Sequence, residues 1–224
     1  ELVRVFTQAT LNDDSMMDSS ALYLLAFVED VVAPAGPGDL ETVRYGCCIL
    51  DSGCGEFSVG SFVDDKHRTI FETLLEQKKP REILVIGAET ANGAPSKQSW
   101  QLIENLATSV KVDVVRRTPV QFIAIDKLNS VVESQGYFGK ALPKEEHWPQ
   151  ELRKLKDRGD NLALRSFGAC LQYLQDVKVD KQILPLKKVF SLAIPGSIRH
   201  QQPAGSSSAS EEYKNETLIL DGQT

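Results

Sequence analysis

The chain has 224 residues, of which 42% are hydrophobic and 25% charged, and this size and composition favour one full globular domain with part of a second. Its formal net charge of −6 argues against a dedicated nucleic-acid binder, because cationic side chains supply most of the affinity for phosphate. No apolar run reaches the roughly 18 residues of a membrane-spanning helix, and the four cysteines show no disulfide framework.

The first part of the chain is strand-like. Residues 1–19 combine a short apolar run with a polar, acidic stretch, which predicts the end of one domain and a linker. Three apolar runs follow, at residues 22–28, 44–50 and 57–62. The turn-forming residues between these runs favour antiparallel pairing of three consecutive strands.

The pattern then alternates between helix and strand. Asp64 or Asp65 can cap a helix that ends before Pro80. Residues 83–86 are apolar on both faces, as in a central parallel strand, and Ser96 can cap the next helix. A further strand and helix are expected at residues 112–115 and 123–134. This order predicts an α/β domain of the ribonuclease H-like type, a mixed sheet flanked by helices, over residues 20–140.

The remaining residues, 141–224, predict the start of a mainly helical domain. A loop and a charged stretch with helical character extend to residue 158. Apolar residues recur at helical spacing over 162–177, and a shorter helix is expected within 180–188. The Ser-rich stretch 203–210 predicts a mobile loop.

The cysteines and histidines do not predict a metal or catalytic site. Cys47 and Cys48 are adjacent on a strand, so their side chains point to opposite faces and cannot share one ion. With Cys54, they are expected to act as small apolar groups. The histidines lie in separate segments, at His67, His147 and His200. No serine or cysteine occupies a nucleophile motif, so we assign no catalytic, cofactor-binding or metal-binding residue.

Two alternatives from other functional classes stay open. A metal-dependent nuclease of the ribonuclease H-like fold needs carboxylates on its first strand, first helix and fourth strand. The runs 22–28 and 83–86 contain none, which leaves Glu72 or Glu76 alone on the helix. A nucleotide-binding α/β domain would use the loop 87–93, which follows a strand and precedes a helix, but that loop lacks the Gly-Lys-Ser/Thr ending.

Basic residues form four short clusters, which are expected to be solvated helix faces or ends. The clusters are Lys78-Lys79-Arg81, Arg116-Arg117, Arg153-Lys154-Lys156-Arg158 and Lys187-Lys188. Any residual binding to duplex DNA should be weak, without mismatch preference, and carried by patches such as residues 153–158.

Several stretches resemble one known family, in the family's order. They are ELVRVFTQAT at residues 1–10, YGCCILD at 45–51 with GSFVDD at 60–65, NLALRSFGACLQYL at 161–174 and TLILD at 217–221. Together they resemble the MutS family of DNA mismatch-repair proteins, most closely its eukaryotic MutS homologue six type. The chain is therefore expected to be an internal piece of a longer protein.

The resemblance implies a domain plan and a role. Residues 1–19 would close the mismatch-binding domain, 20–140 would form the connector domain, and 141–224 would start the helical lever. The piece would be non-catalytic and without a cofactor, would relay state between the mismatch-binding and ATPase parts, and would offer a surface to repair partners. The parent would be a nuclear DNA-dependent ATPase that uses ATP and Mg²⁺. It would bind mismatched DNA as a heterodimer with a second MutS homologue, would work with a MutL-type protein, and would have no membrane partner.

Overall fold

The structure, a computed structural model, describes residues 22–32, 41–88, 91–123, 125–139 and 147–195. The strands are Tyr23–Val32 (β1), Thr42–Asp51 (β2), Glu56–Asp64 (β3), Glu82–Ile86 (β4), Asp113–Arg117 (β5) and Val189–Ser191 (β6). The helices are Thr69–Lys78 (α1), Lys97–Ser109 (α2), Ile125–Gln135 (α3), Gln150–Asp157 (α4), Asn161–Asp176 (α5) and Asp180–Ile183 (α6). The stretches 1–19, 203–210 and 217–221 lie outside the described residues. Among the described helices, none is long and apolar enough to cross a membrane.

The six strands form one mixed sheet in the order β5-β4-β1-β2-β3-β6. β1, β2 and β3 make an antiparallel meander, in which Tyr23 lies opposite Asp51 and Asp51 opposite Glu56. β4 and β5 run parallel to β1, because α1 and α2 carry the chain back to the same edge before each strand begins. The predicted mixed sheet flanked by helices is therefore confirmed, with the predicted order of three strands followed by alternating helices and strands.

β1 extends further than the apolar run that predicted it. The strand continues past residue 28 to Val32, because the start of β2 pairs with it, Val32 lying opposite Thr42. Two acids, Glu29 and Asp30, therefore belong to β1. The prediction that the first strand contains no acid is wrong, since a backbone ladder can continue after the apolar pattern stops.

Alternating side chains divide the interior into two cores, one on each face of the sheet. Leu24, Ala26 and Val28 face the core that α3, α4 and α5 cover. Leu25 and Phe27 face the core that α1 and α2 cover. The side chains of β1 from Leu24 to Val28 are all buried, so β1 is a central strand of a three-layer domain.

The helix predicted at residues 162–177 is present as α5, but it lies against the sheet. Gly46 of β2 allows the contact, since a Cβ there would lie 2.1 Å from the carbonyl carbon of Leu162. The Ser166 hydroxyl donates a hydrogen bond of 2.7 Å to the Gly46 carbonyl oxygen. The prediction of a separate helical domain from residue 141 therefore does not hold for residues 147–192, which share the core of the sheet.

The last described segment also differs from its prediction. The stretch 180–188 is only helical in part, as α6 and a 3-10 turn at Leu184–Leu186. β6 follows at once and pairs in parallel with β3, Val189 lying opposite Phe57. Three residues are too few to show a strand period in the sequence, so β6 could only be found from its pairing.

Candidate functional site

The carboxyl ends of β1 and β4 meet at one edge of the sheet, and β1 places Glu29 there. The Glu29 side chain is fully buried. Its Oε2 accepts a hydrogen bond of 2.7 Å from the backbone N–H of Ser96, and its Oε1 lies 3.6 Å from Nη2 of Arg68. The carboxylate therefore joins β1 to the start of α2 and to the turn that begins α1.

Arg68 is buried to the same degree and has a left-handed backbone, with φ 61. Its guanidinium donates to the carbonyl oxygen of Lys66 at 2.7 Å and to Oε1 of Glu41 at 3.1 Å. A left-handed conformation is unfavourable for a residue with a side chain, and a buried cation needs a counter-charge. We call Glu29, Glu41, Arg68 and Ser96 the Glu29–Arg68 cluster. In it, a cation and a backbone donor already hold the Glu29 carboxylate.

The other acids expected of a nuclease do not join Glu29. Glu72 and Glu76 are exposed on α1. β4 does begin with a buried acid, Glu82, but at the opposite edge, where it accepts a hydrogen bond from the Tyr173 hydroxyl. Within the described ranges, no group of three or more His, Cys, Asp or Glu side chains could hold a metal ion. A two-metal site needs several carboxylates at one point, and this arrangement separates them.

Gly93, in the stretch 87–93 that the nucleotide-binding alternative would use, packs on the end of β1. A Cβ at Gly93 would lie 2.5 Å from Cγ1 of Val28, and the Gly93 carbonyl accepts a hydrogen bond from the Glu29 N–H. Ser96 caps α2 as predicted, its hydroxyl accepting from the N–H of Ser99. The start of a helix favours an anion, and here the buried Glu29 carboxylate binds at that position. A phosphate group at the same place would meet a negative charge.

The cysteines fill the two cores. Cys47 and Cys48 lie in opposite cores, as their adjacent positions predicted. Burial raises the pKa of both thiols, so neither favours the thiolate that binds metals. Cys170 of α5 lies beside Cys48, its Sγ 3.8 Å from the Cys48 carbonyl oxygen, whereas Cys54 is half-buried in the turn between β2 and β3. His67 lies before α1 and His147 before α4, and His200 lies outside the described residues.

The basic cluster at residues 153–158 is engaged within α4 and its surroundings. Nζ of Lys154 binds the Glu151 carboxylate at 2.7 Å. Nζ of Lys156 lies 5.7 Å from the centre of the Trp148 ring. Half of the charge predicted to attract phosphate is therefore directed to the protein itself.

A second set of contacts joins α5 to the strands beneath its C-terminal end. Nη1 of Arg117, the last residue of β5, lies 2.5 Å from Oδ2 of Asp176. The Arg117 guanidinium also lies over the ring of Tyr173, whose hydroxyl binds Glu82 of β4. These contacts could not be predicted from the sequence, since they depend on how α5 crosses the sheet. Together with the Gly46 contact, they fix both ends of α5 to the sheet.

Comparison with known proteins supplies the family. The family model described as MutS domain II matches residues 23–187. The chain is 27% identical over 205 residues to the DNA mismatch repair protein MSH6 of Saccharomyces cerevisiae, covering 84% of this chain and 15% of that protein. It is 23% identical over 212 residues to the probable DNA mismatch repair protein Msh6 of Drosophila melanogaster, covering 90% and 16%. It is 25% identical over 203 residues to the DNA mismatch repair protein Msh6 of Homo sapiens, covering 83% and 14%.

The residue range of the family match can be compared with the domain boundary expected at residue 140. The chain spans only 14–16% of the length of these relatives. The family match continues well past residue 140 and includes α4, α5 and α6. This range agrees with the shared core of the structure, in which α5 covers the sheet.

Proposed function

Because the chain belongs to the MutS domain II family, we propose that it acts as a non-catalytic connector in a DNA mismatch-repair protein, relaying conformational state between a mismatch-binding part and an ATPase part. The observation that carries the proposal is the Glu29–Arg68 cluster. The acid at the carboxyl edge of the sheet holds three structural elements together. It is committed to internal contacts and is not presented to a metal ion or a substrate.

The strand order supports a ribonuclease H-like origin for the domain. The first five strands lie in the order β3-β2-β1-β4-β5, an antiparallel meander followed by two parallel strands. A fold does not determine its chemistry, which resides in particular side chains. We therefore propose that the connector keeps this architecture without nuclease activity.

A relay needs a body that moves as one unit, so that a displacement at one end reaches the other. The Glu29–Arg68 cluster joins β1, α1 and α2 on one face. The contacts of Gly46 and Arg117 join α5 to β2 and β5 on the other. Arg165 of α5 also donates a hydrogen bond of 3.1 Å to the Asn92 carbonyl, in the loop before α2. These contacts support a rigid connector.

The remaining features of the proposal concern the longer protein. It would bind mismatched DNA as a heterodimer with a second MutS homologue, hydrolyse ATP with Mg²⁺ and act in the nucleus. The connector would offer part of its surface to a MutL-type repair protein. The names of the relatives support a role in DNA mismatch repair.

The proposal is tested first by assaying the chain for chemistry. We expect no cleavage of single- or double-stranded DNA or RNA with Mg²⁺, Mn²⁺ or Zn²⁺, and no ATP hydrolysis. Glu29→Gln and Glu72→Gln variants serve as controls for a contaminating activity. Metal-dependent cleavage that either substitution abolishes would show a catalytic carboxylate and would overturn the proposal.

A further inference from the structure

The fold gathers basic side chains from separate segments at one edge of the sheet. β4, β5 and β6 all begin at this edge, and α5 ends there, since Tyr173 near its end binds Glu82 at the start of β4. Acids lie at this edge as well, among them Asp51, Glu56 and Asp113. Beside them are six basic residues that form no salt bridge within the described part of the chain. They are Lys79 and Arg81 before β4, Lys111 before β5, Lys178 and Lys181 after α5, and Lys187 before β6. We call these six residues the basic edge.

The charges of the basic edge are available to a partner. The five lysines are exposed and Arg81 is half-buried. Within the part of the chain that the structure describes, none of the six forms a salt bridge. Their neighbours differ in this respect. Lys188 lies 3.5 Å from the Glu56 carboxylate, and Lys78 lies over the Tyr23 ring.

Three lysines of the basic edge have a left-handed backbone. Lys79, Lys178 and Lys187 have φ values of 44, 63 and 57. Glycine is the usual residue in this conformation at the end of a helix, because a side chain makes it strained. A helix dipole favours cations in the last turn, which accounts for Lys78 but not for a strained lysine beyond it. These three lysines lie at the end of α1, just past the end of α5 and at the end of the 3-10 turn before β6.

We propose that the basic edge is a binding surface for the phosphate backbone of duplex DNA. Protein interfaces are poor in lysine and rich in aromatic residues, so a lysine-rich edge fits a protein partner badly. Phosphate oxygens are contacted by lysine and also by glutamine. Three glutamines, Gln135, Gln172 and Gln175, line a groove of about 370 Å³ together with Lys178, Lys181 and two aspartates. Both aspartates have internal partners, since Asp176 pairs with Arg117 and Asp180 accepts a hydrogen bond from the Tyr137 hydroxyl.

The dimensions and chemistry of the edge define the kind of binding. Six strands about 4.8 Å apart span roughly 24 Å, a length over which duplex DNA presents a charge about every 1.7 Å. Lysines on flexible stems contact phosphates without reading bases, so the surface has no mismatch preference. The net charge of −6 limits the affinity, and we expect dissociation constants of about 10⁻⁴–10⁻⁶ M. This contact with DNA does not require the relay role proposed above.

The test compares two matched triple variants of the chain by fluorescence anisotropy with a short labelled duplex, over roughly 50–200 mM salt. The edge variant is Lys79→Gly/Lys111→Ala/Lys187→Gly. The control variant, Lys154→Ala/Lys156→Ala/Arg158→Ala, removes three charges from the cluster on α4. Glycine relieves the backbone strain at residues 79 and 187, so thermal unfolding should show an edge variant at least as stable as the wild type.

We expect the edge variant to bind on the order of tenfold more weakly at low salt, with the slope of log affinity against log salt reduced by about three. The control variant should bind like the wild type. Equal losses in both variants, an unchanged edge variant, or no binding by the wild type at the lowest salt would overturn the proposal. Tighter binding to polyglutamate than to DNA would assign the edge to an acidic protein and would also overturn it.

Discussion

The contact between Gly46 and α5 gives the sharpest prediction for stability. In a Gly46→Ala variant, the new methyl group would lie 2.1 Å from the Leu162 carbonyl carbon and 2.5 Å from the Ala163 nitrogen. Carbon atoms in contact are normally about 3.5–4.0 Å apart. Both neighbours are backbone atoms of α5, so the clash cannot be relieved by rotating a side chain, and the helix must move away from β2.

The expected loss follows from two effects. Overpacking of a filled core costs about 1–3 kcal/mol and occasionally more. Displacement of α5 also weakens the hydrogen bond from Ser166 to the Gly46 carbonyl, which contributes about 1 kcal/mol. We expect the free energy of unfolding to fall by about 2–4 kcal/mol in total. For a chain of this size, the melting temperature should fall by roughly 4–16 °C.

Urea denaturation followed by circular dichroism measures this loss, with Gly53→Ala as the matched control. A Cβ at Gly53 would have only the Asp51 carboxylate nearby, at 3.3 Å, so its stability should stay within about 0.5 kcal/mol of the wild type. A Gly46→Ala variant as stable as the Gly53→Ala control would refute the placement of α5 on the sheet.

Three further predictions concern buried groups. Arg68→Met leaves the Glu29 carboxylate buried without its cation and should lower the free energy of unfolding in urea by about 3–5 kcal/mol. The double variant with Glu29→Gln should recover at least half of this lost free energy. A loss below about 1 kcal/mol in Arg68→Met alone would contradict the burial of the pair. In native protein, an aromatic disulfide reagent should label Cys54 first and the three buried thiols only on unfolding. Equal labelling rates for all four thiols would contradict the burial of Cys47, Cys48 and Cys170 in the two cores. Burial raises the pKa of Tyr137 from 10.0 to about 12. Because the folded state therefore holds this proton more tightly than the unfolded state, stability should fall as the pH rises through that interval. Urea midpoints measured over the same pH interval should decline less in Tyr137→Phe than in the wild type, and an equal decline would assign the effect to other groups.

The sequence predicted the central part of the domain because its patterns are local. The apolar runs of β1 to β4, the Ser96 cap of α2 and the stripe of α5 each depend on residues within one element. The opposite orientation of Cys47 and Cys48 follows from the strand period alone. These features could be predicted because each is determined by spacing within a short segment.

The features that the sequence did not reveal depend on distant contacts. The stripe of α5 shows that the helix has a buried face, but it does not show that this face covers β2 at Gly46. Glu29 lies just beyond the apolar run that predicted β1, and its partner Arg68 lies in a segment far along the chain. The basic edge was likewise dispersed in the sequence. Lys79, Arg81 and Lys187 belong to two of the predicted clusters, whereas Lys111, Lys178 and Lys181 belong to none. Only the parallel strand topology brings them to one edge.

The relay role is tested most directly by mismatch-stimulated ATP hydrolysis in the full-length protein that contains this chain. Gly46→Ala should loosen α5 from β2, and Gly53→Ala is again the control. The relay account predicts that the Gly46→Ala protein still binds mismatched DNA and still hydrolyses ATP at its basal rate when no DNA is present. Mismatched DNA should no longer stimulate this hydrolysis. The Gly53→Ala protein should behave like the wild type. Full stimulation in a folded Gly46→Ala protein, with α5 shown to be displaced, would contradict the account.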